Sequence, residues 1–311
     1  MLYYNKFYED KHMAKKQQNK PNKKSKKQNN AKIVVIFLLI AIFIFVFSGL
    51  IGVSVYKIYK QNEKDEQQNI QRSAPKEVSL LIKEGQTQQD IANKLEQMGV
   101  MSSEQFMDAC NNATFDYPFL VSLPKDDQRK SKLEGYLYPD TYFIYENSTP
   151  EMIINKLLTR FDELFTPEMI KKASDMGLTI DEVVTIASII EREVKYAPEK
   201  PIVASVVFNR LKQGIKLQMD ATVLYAKGEH SDRTLTEDTK IQSPYNTYYI
   251  DGLPIGPICN PSIDTINAVL NPAKTDYLYY VLKNEETGEH FFTSDYNQFL
   301  KAKEEYIKNF N

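Results

Sequence analysis

Tryptophan is absent from this 311-residue chain, cysteine occurs twice, histidine three times and glycine only 11 times. Each shortage excludes a class of protein. Cys110 and Cys259 are too few and too far apart for a disulfide scaffold or a cysteine-based metal site. His12, His230 and His290 make no HExxH and no close pair, so metal catalysis has no visible ligand set. No GxSxG turn offers an activated serine, and no GxxxxGKS or GxxxxGKT loop offers a phosphate cradle. The expectation is a chain of about two domains that needs neither metal nor cofactor.

Basic charge is missing where nucleic acid would need it. The whole chain nets −2, yet residues 1–32 carry ten Lys against Glu9 and Asp10, which leaves −10 on the remainder. A nucleic-acid binder would place basic surface on its folded part, so no nucleic-acid partner is expected.

What is present first is a hydrophobic run. Ile33 to Tyr56 are 24 residues without a charge. They would form a helix of roughly 36 Å, enough to cross a hydrocarbon core of about 30 Å with some tilt. The alternative, a cleaved signal peptide, has a shorter apolar region ending at small residues. Here apolar residues continue past Ser48, Gly49 and Gly52, so a single uncleaved anchor is the reading. Lys23, Lys24, Lys26 and Lys27 beside the span place the N-terminus in the cytoplasm and the acidic body outside the cell membrane. The chain therefore reads as a basic tail (1–32) too polar to fold, a transmembrane helix (33–56), and a polar juxtamembrane stalk (57–76).

Two α+β units should follow. In residues 77–130 a strand-like EVSLLIKEG precedes a helix capped by Thr87, with Asp90 at its third position and Gly99 beyond its end. A second helix covers Ser103–Asn111. Strand–helix–helix in about 40 residues resembles a LysM-like module, although an anonymous packing domain fits the pattern equally. In residues 131–311, Thr149-Pro150, Thr166-Pro167 and Thr179 start three helices, and a fourth after Pro198 ends before Gly214. Residues 243–261, SPYNTYYIDGLPIGPICNP, read as an ordered loop. YLYYVLK and HFFTS read as a hairpin, with a last helix after Asp295. Helices come first and a short antiparallel sheet late.

With His and Cys chemistry lacking, an exported enzyme would rely on carboxylates acting on an acid-labile bond, such as a glycosidic one. The helix DEVVTIASIIEREV supplies them. At 100° per residue, Val183, Ile186, Ala187, Ile190 and Val194 share an apolar face. Glu191 and Glu193 fall on its opposite borders, each roughly 70–90° from the centre. A border carboxyl is partly desolvated, which raises its pKa toward that of a neutral-pH acid. Geometry alone leaves the choice between the two open, and leaves open that both are ordinary solvated glutamates.

Six motifs then occur in order: LEGYLYPDTY, IASIIEREV, VASVVFNRL, LQMDATVLYA, SPYNTYYIDGLPIGPICNP and LNPAKTDYLYYVLK. Together they resemble the MltG (YceG-like) family of endolytic murein transglycosylases, over nearly everything from residue 77 onward. The resemblance implies that Glu191, the first Glu of the helix motif, is the catalytic acid, with Glu193 and Glu134 supporting. It implies endolytic cleavage of the MurNAc–GlcNAc β-1,4 bond of nascent peptidoglycan glycan strands, leaving 1,6-anhydroMurNAc ends and ending strand elongation. Peptidoglycan synthases and elongation or division proteins would be partners. Asn209, Gln218 and Asp220, with Ser243, Tyr245, Asn246 and Tyr248 from the loop, would line a glycan groove. The competing view is that the loop is held by its own hydrogen bonds.

The departures from the family pattern are local. Met219 and Ala221 stand where Ser and Pro are common, Ala226 where Gly is common, and Cys259 replaces a small residue. A Cys110–Cys259 bridge is weighed against two unpaired buried thiols, and the thiols are expected. Two other functional readings stand beside the lyase. One is a non-catalytic, wall-binding scaffold. The other is a hydrolytic muramidase, for which Asp220 is the motif's candidate second acid.

Overall fold

The computed structural model describes residues 23–73, 75–121, 123–124, 126, 128–228 and 235–310, and the chain divides into two units, 1–74 and 75–311. His12, His230 and the first 22 residues of the basic tail lie outside the described residues.

Among the described residues the first unit is one helix, α1 (Lys23–Ser73), of 51 residues. Its side chains from Ile33 to Tyr59 are exposed, and Lys32–Glu66 is long and apolar enough to cross a membrane. The span is apolar all round, as a lipid-facing helix should be. Lys23–Lys32, expected to be unstructured, and the polar stalk as far as Ser73 continue the same helix. Only Gly49 and Gly52 interrupt it as weak helix formers, and Pro75 follows its end.

The second unit contains β1 (Glu77–Leu81), α2 (Gln88–Gln97), α3 (Ser103–Asn112), α4 (Pro118–Val121), β2 (Thr141–Tyr145), α5 (Pro150–Leu164), α6 (Pro167–Asp175) and α7 (Ile180–Glu193). A 3-10 turn, Ala197–Glu199, leads into α8 (Lys200–Gln213). Next come α9 (Asp220–Lys227), α10 (Ile263–Leu270), β3 (Tyr279–Asn284), β4 (Glu289–Thr293) and α11 (Tyr296–Phe310). The class is α+β. Thr87, Ser102, Thr149, Thr166 and Thr179 each accept the N–H three residues on, and Pro follows Thr149 and Thr166 at the first helical position. Each such cap stabilises its helix by about 1 kcal/mol.

Among the described residues there are two antiparallel strand pairs. β3 and β4 form the expected hairpin, with Tyr280 opposite Phe292 and Leu282 opposite His290. β1 pairs instead with β2, Val78 opposite Ile144 and Leu80 opposite Tyr142, so its partner lies beyond residue 130. β2, α9 and α10 are elements the sequence did not announce.

α7 is the central helix. Val183, Val184, Ile186, Ala187, Ile189 and Ile190 are fully buried against α6, α8, α9 and α10. Each larger side chain there contributes roughly 1.5–3 kcal/mol of burial. Its first turn is anchored by a buried two-bond pair, Arg129 Nη1 and Nη2 to Asp181 at 2.9 Å each, to which Tyr136 Oη adds a bond at 2.7 Å.

Asn260, fully buried in the long loop, ties distant segments together. Its Oδ1 accepts the N–H of Gly135 and of Leu137, both at 3.0 Å, and its Nδ2 donates to Gln86 O at 2.9 Å. Its backbone adds bonds to Gly85 and Gln86. Gly135 has φ +93° and touches its surroundings so closely that a Cβ would lie 2.6 Å from Pro257. Cys110 and Cys259 are unpaired and buried.

Candidate active site

The two glutamates at the end of α7 have opposite surroundings. Glu191 faces α8 and α10. Its Oε1 accepts from Lys200 Nζ at 2.9 Å, and its Oε2 accepts Ser262 N–H at 2.9 Å, Ser262 Oγ at 2.7 Å and the Thr265 hydroxyl. Burial alone would raise its pKa, but these donors outweigh it and hold the carboxyl below the usual range. The sequence reading placed a desolvated carboxyl here, and the structure surrounds it with donors. It is the partner of a nearly buried lysine at the N-terminus of one helix and bonds the N-cap of another.

Glu193 faces the other way. Its Oε1 accepts Ala221 N–H at 3.0 Å, from the first turn of α9, and its Oε2 lies 3.4 Å from Tyr280 Oη. Among the described residues no cation is within ion-pair distance of it. Burial pushes its pKa up to about 7, and the Asp220 charge adds to this against the Ala221, Tyr280 and Arg192 contributions. Such a carboxyl is part protonated at neutral pH, as a general acid requires.

Glu193 opens on a cavity of about 470 Å³ lined by Gln218, Asp220, Tyr248, Arg210, Tyr279, Tyr280, Tyr296 and Lys303 among others. That volume suits a sugar-sized ligand. The cavity wall is built by a clamp between two loops. Thr247 receives Met219 N–H on its Oγ1 at 2.9 Å and Gln218 N–H on its carbonyl at 3.2 Å, and its Oγ1 meets Thr222 Oγ1 at 2.9 Å. The clamp holds Gln218 at φ +53°, in the left-handed region that costs a side-chain-bearing residue about 1 kcal/mol. Asp220 Oδ1 accepts from Tyr248 Oη at 2.6 Å. The Arg210 guanidinium sits 5.3 Å from the Tyr279 ring centre and donates to the carbonyls of Leu278, Lys216 and Leu217.

Of the expected groove residues, Gln218, Asp220 and Tyr248 line this cavity. Asn209 does not; its Nδ2 donates to Thr275 and Tyr277 carbonyls and fixes the approach to β3. Asn246 is buried and donates to Thr239 and Ile241 carbonyls, while Tyr245 is buried and accepts Lys130 N–H at 3.1 Å. Ser243 Oγ accepts Tyr245 N–H within the loop. Of these four, Ser243 is bonded within the loop, Tyr245 and Asn246 tie the loop to residues 130, 239 and 241, and Asn209 lies on α8.

Glu134 lines a separate cavity of about 390 Å³ with Gln88, Lys130, Arg192 and Tyr225, on the other side of Ala221. It accepts Gln88 N–H at 2.9 Å and Tyr225 Oη at 3.2 Å, and burial raises its pKa to about 8. Sequence reasoning missed Thr247, Arg210, Tyr279 and Tyr280, although all four stand inside the quoted motifs. Among the described residues no group of three or more His, Cys, Asp or Glu could hold a metal.

Comparison with known proteins adds to this geometry. The profile of the YceG-like family matches residues 12–305. A Bacillus subtilis (strain 168) protein named endolytic murein transglycosylase is 42% identical over 186 residues, 58% of this chain and 50% of that one. A Streptococcus pneumoniae (serotype 2, strain D39) protein of the same name is 36% identical over 221 residues, 65% of this chain and 40% of that one. The chain thus spans half or less of the length of these curated relatives. The 2.6 Å crystal structure of a yceG-like protein from Listeria monocytogenes superposes with a TM-score of 0.64 at 32% identity, covering 72% of this chain and 75% of that one.

Proposed function

The chain belongs to the YceG-like family, and on that premise we propose that it is a membrane-anchored lytic transglycosylase acting on peptidoglycan, with Glu193 rather than Glu191 as its acid. The observation that carries the assignment is the pair of environments on α7. Glu193 is desolvated, raised to about 7 and open to a tyrosine-lined cavity, while Glu191 is tied to Lys200.

In the reaction, neutral Glu193 protonates the oxygen of the MurNAc–GlcNAc bond as it breaks. The resulting carboxylate accepts the proton of the muramyl C6 hydroxyl, whose oxygen bonds to C1 and closes a 1,6-anhydro ring. One carboxyl serves both transfers, and water is not consumed. Tyr280 Oη and Ala221 N–H stand beside the carboxylate to stabilise it between the two transfers. The Tyr248, Tyr279 and Tyr296 rings suit the C–H faces of sugars, and Gln218 and Asp220 suit their hydroxyls and amides. With the basic tail in the cytoplasm, the cavity would work outside the membrane on nascent strands. Synthases and elongation or division proteins would be neighbours there. Residues 77–130, with β1, α2 and α3, would be the LysM-like part, a further contact for glycan.

Digestion of purified glycan strands with the full-length protein in detergent tests the reading. Anhydromuramyl ends are expected. Reducing-end muramic acid would instead establish the hydrolytic alternative, which one observation favours: Asp220 shares Glu193's cavity. Binding without cleavage would leave only the scaffold reading.

A further inference from the structure

Glu199 and His290 are 91 positions apart and meet in a buried pair. Glu199 closes the 3-10 turn after α7, and His290 lies near the start of β4. Glu199 Oε2 is 2.7 Å from His290 Nδ1, and both carboxylate oxygens accept the His290 backbone N–H, at 3.1 and 3.2 Å. The two side chains are 8% and 10% exposed. A buried carboxylate–imidazole pair costs desolvation to assemble. What it fixes is visible across the hairpin.

His290 and Tyr280 stand diagonally on one face of β3 and β4, since Leu282 is opposite His290 and Phe292 opposite Tyr280. Their rings meet edge to face, with centroids 5.3 Å apart and planes at 87°. Tyr280 in turn brings its hydroxyl to 3.4 Å from Glu193 Oε2 and 3.0 Å from Met219 Sδ. An unbroken succession therefore runs from Glu199 to the imidazole, from the imidazole to the phenol ring, and from the phenol to the acid.

We propose that Glu199 and His290 are positioning residues for the cleavage, a buried pair that holds the Tyr280 ring so that its hydroxyl stays on the Glu193 carboxyl. The proposal rests on the reading of Glu193 as the acid. Neither residue touches substrate. Their effect passes through Tyr280, whose bond favours the ionised form of Glu193 and so stabilises the carboxylate that must take the second proton. The other charged or titratable groups around Glu193 and Tyr280 are Arg192 on α7, Arg210 on α8, Asp220 on α9, Tyr248 on the long loop, Tyr279 on β3, and Tyr296, Lys303 and Tyr306 on α11.

A strut for the hairpin alone would change melting and the active fraction, but not the pH at which the folded enzyme loses activity. A positioning pair changes both kcat and that pH. The test measures kcat and KM on glycan strands from pH 5 to 9 for the full-length protein and for Tyr280→Phe, His290→Phe, Glu199→Gln and the double variant Tyr280→Phe/His290→Phe. Tyr280→Phe and His290→Phe are each expected to lower kcat about five- to twentyfold with KM within about twofold, and to move the activity loss to higher pH. The double variant should be no worse than Tyr280→Phe alone, because both changes remove one interaction. Glu199→Gln should move the profile in the same direction by less, and it carries the test if His290→Phe does not fold.

An unmoved profile in folded His290→Phe or Glu199→Gln, or losses that multiply in the double variant, would overturn the proposal. Glu193→Gln is run beside them. If it cuts at the wild-type rate, the acid assignment falls and this proposal with it. If Glu193→Gln is inactive and only the His290 and Glu199 variants are silent, the positioning role alone falls.

Discussion

Lys200 Nζ lies 2.9 Å from Glu191 Oε1, and Glu193, two residues further along the same helix, has no such cation among the described residues. One carboxylate thereby joins α7, α8 and α10, and the proposed role of the other as the acid follows from that difference.

Glu193→Gln should reduce anhydromuramyl product formation by roughly 10²–10⁴-fold while the melting temperature holds. Glu191→Gln should do the reverse in kind. Leaving Lys200 without its buried counter-charge costs roughly 3 kcal/mol, read as a lower melting temperature, with activity surviving in the folded fraction. Wild-type rates for Glu193→Gln would return the assignment to Glu191.

The pH–rate profile follows from Glu193's raised pKa. The acid is protonated below about 7, so cutting should be full on the acidic side and fall as pH rises through that value. The Asp220 charge is one cause of the raised value, so Asp220→Asn should move the fall to lower pH whatever it does to the maximum rate. Profiles that superimpose would contradict this.

Glu134 provides the matching test in stability. Its pKa is about 8 in the folded chain, above the ordinary carboxylate value. The folded state then binds more protons than the unfolded one between these values, and stability from this group is present at low pH and lost as pH rises toward 8. The wild-type melting temperature should fall from pH 5 to pH 8.5 more steeply than that of Glu134→Gln. Parallel slopes would sink the point.

Ala221→Pro probes a single donor. Ala221 lies in the first turn of α9, where proline is tolerated, and its N–H is bonded to Glu193 rather than to the helix. Removing it takes away a bond that favours ionised Glu193. The fall in activity should move to higher pH, with stability changed by less than about 1 kcal/mol.

Gly135→Ala should be severe. Its φ of +93° disfavours any side chain, and the added Cβ would meet Pro257 at 2.6 Å and Val184 at 2.7 Å. A loss of more than about 3 kcal/mol is expected, read by thermal melting or by failure to recover soluble unit. A variant that melts like wild type would show that this close approach is not needed.

Four of the capped helices were legible because Thr87, Thr149, Thr166 and Thr179 announce them within three residues, whereas the Ser262 cap of α10 went unread. α9 was not, since Met219 at its N-cap makes no side-chain bond and the helix has only eight residues. β2 alternates as a strand should, with Tyr142 and Ile144 buried, but its partner is some 60 positions away and a five-residue strand carries little signal alone. The choice between Glu191 and Glu193 was illegible for a sharper reason. Their angles on the helix are mirror images, and what separates them arrives later in the chain: Lys200, Ser262 and Thr265 on one side, Ala221 and Tyr280 on the other.

Asn260 has a consequence for modularity. Because one buried amide joins residues 86, 135 and 137 from position 260, the second unit resists subdivision. An excised N-terminal piece would lose both the β2 strand and this knot, and the remainder would expose the backbone groups they satisfy. Chimeras that exchange the front of the unit between relatives should therefore need to carry the residue-260 loop with it.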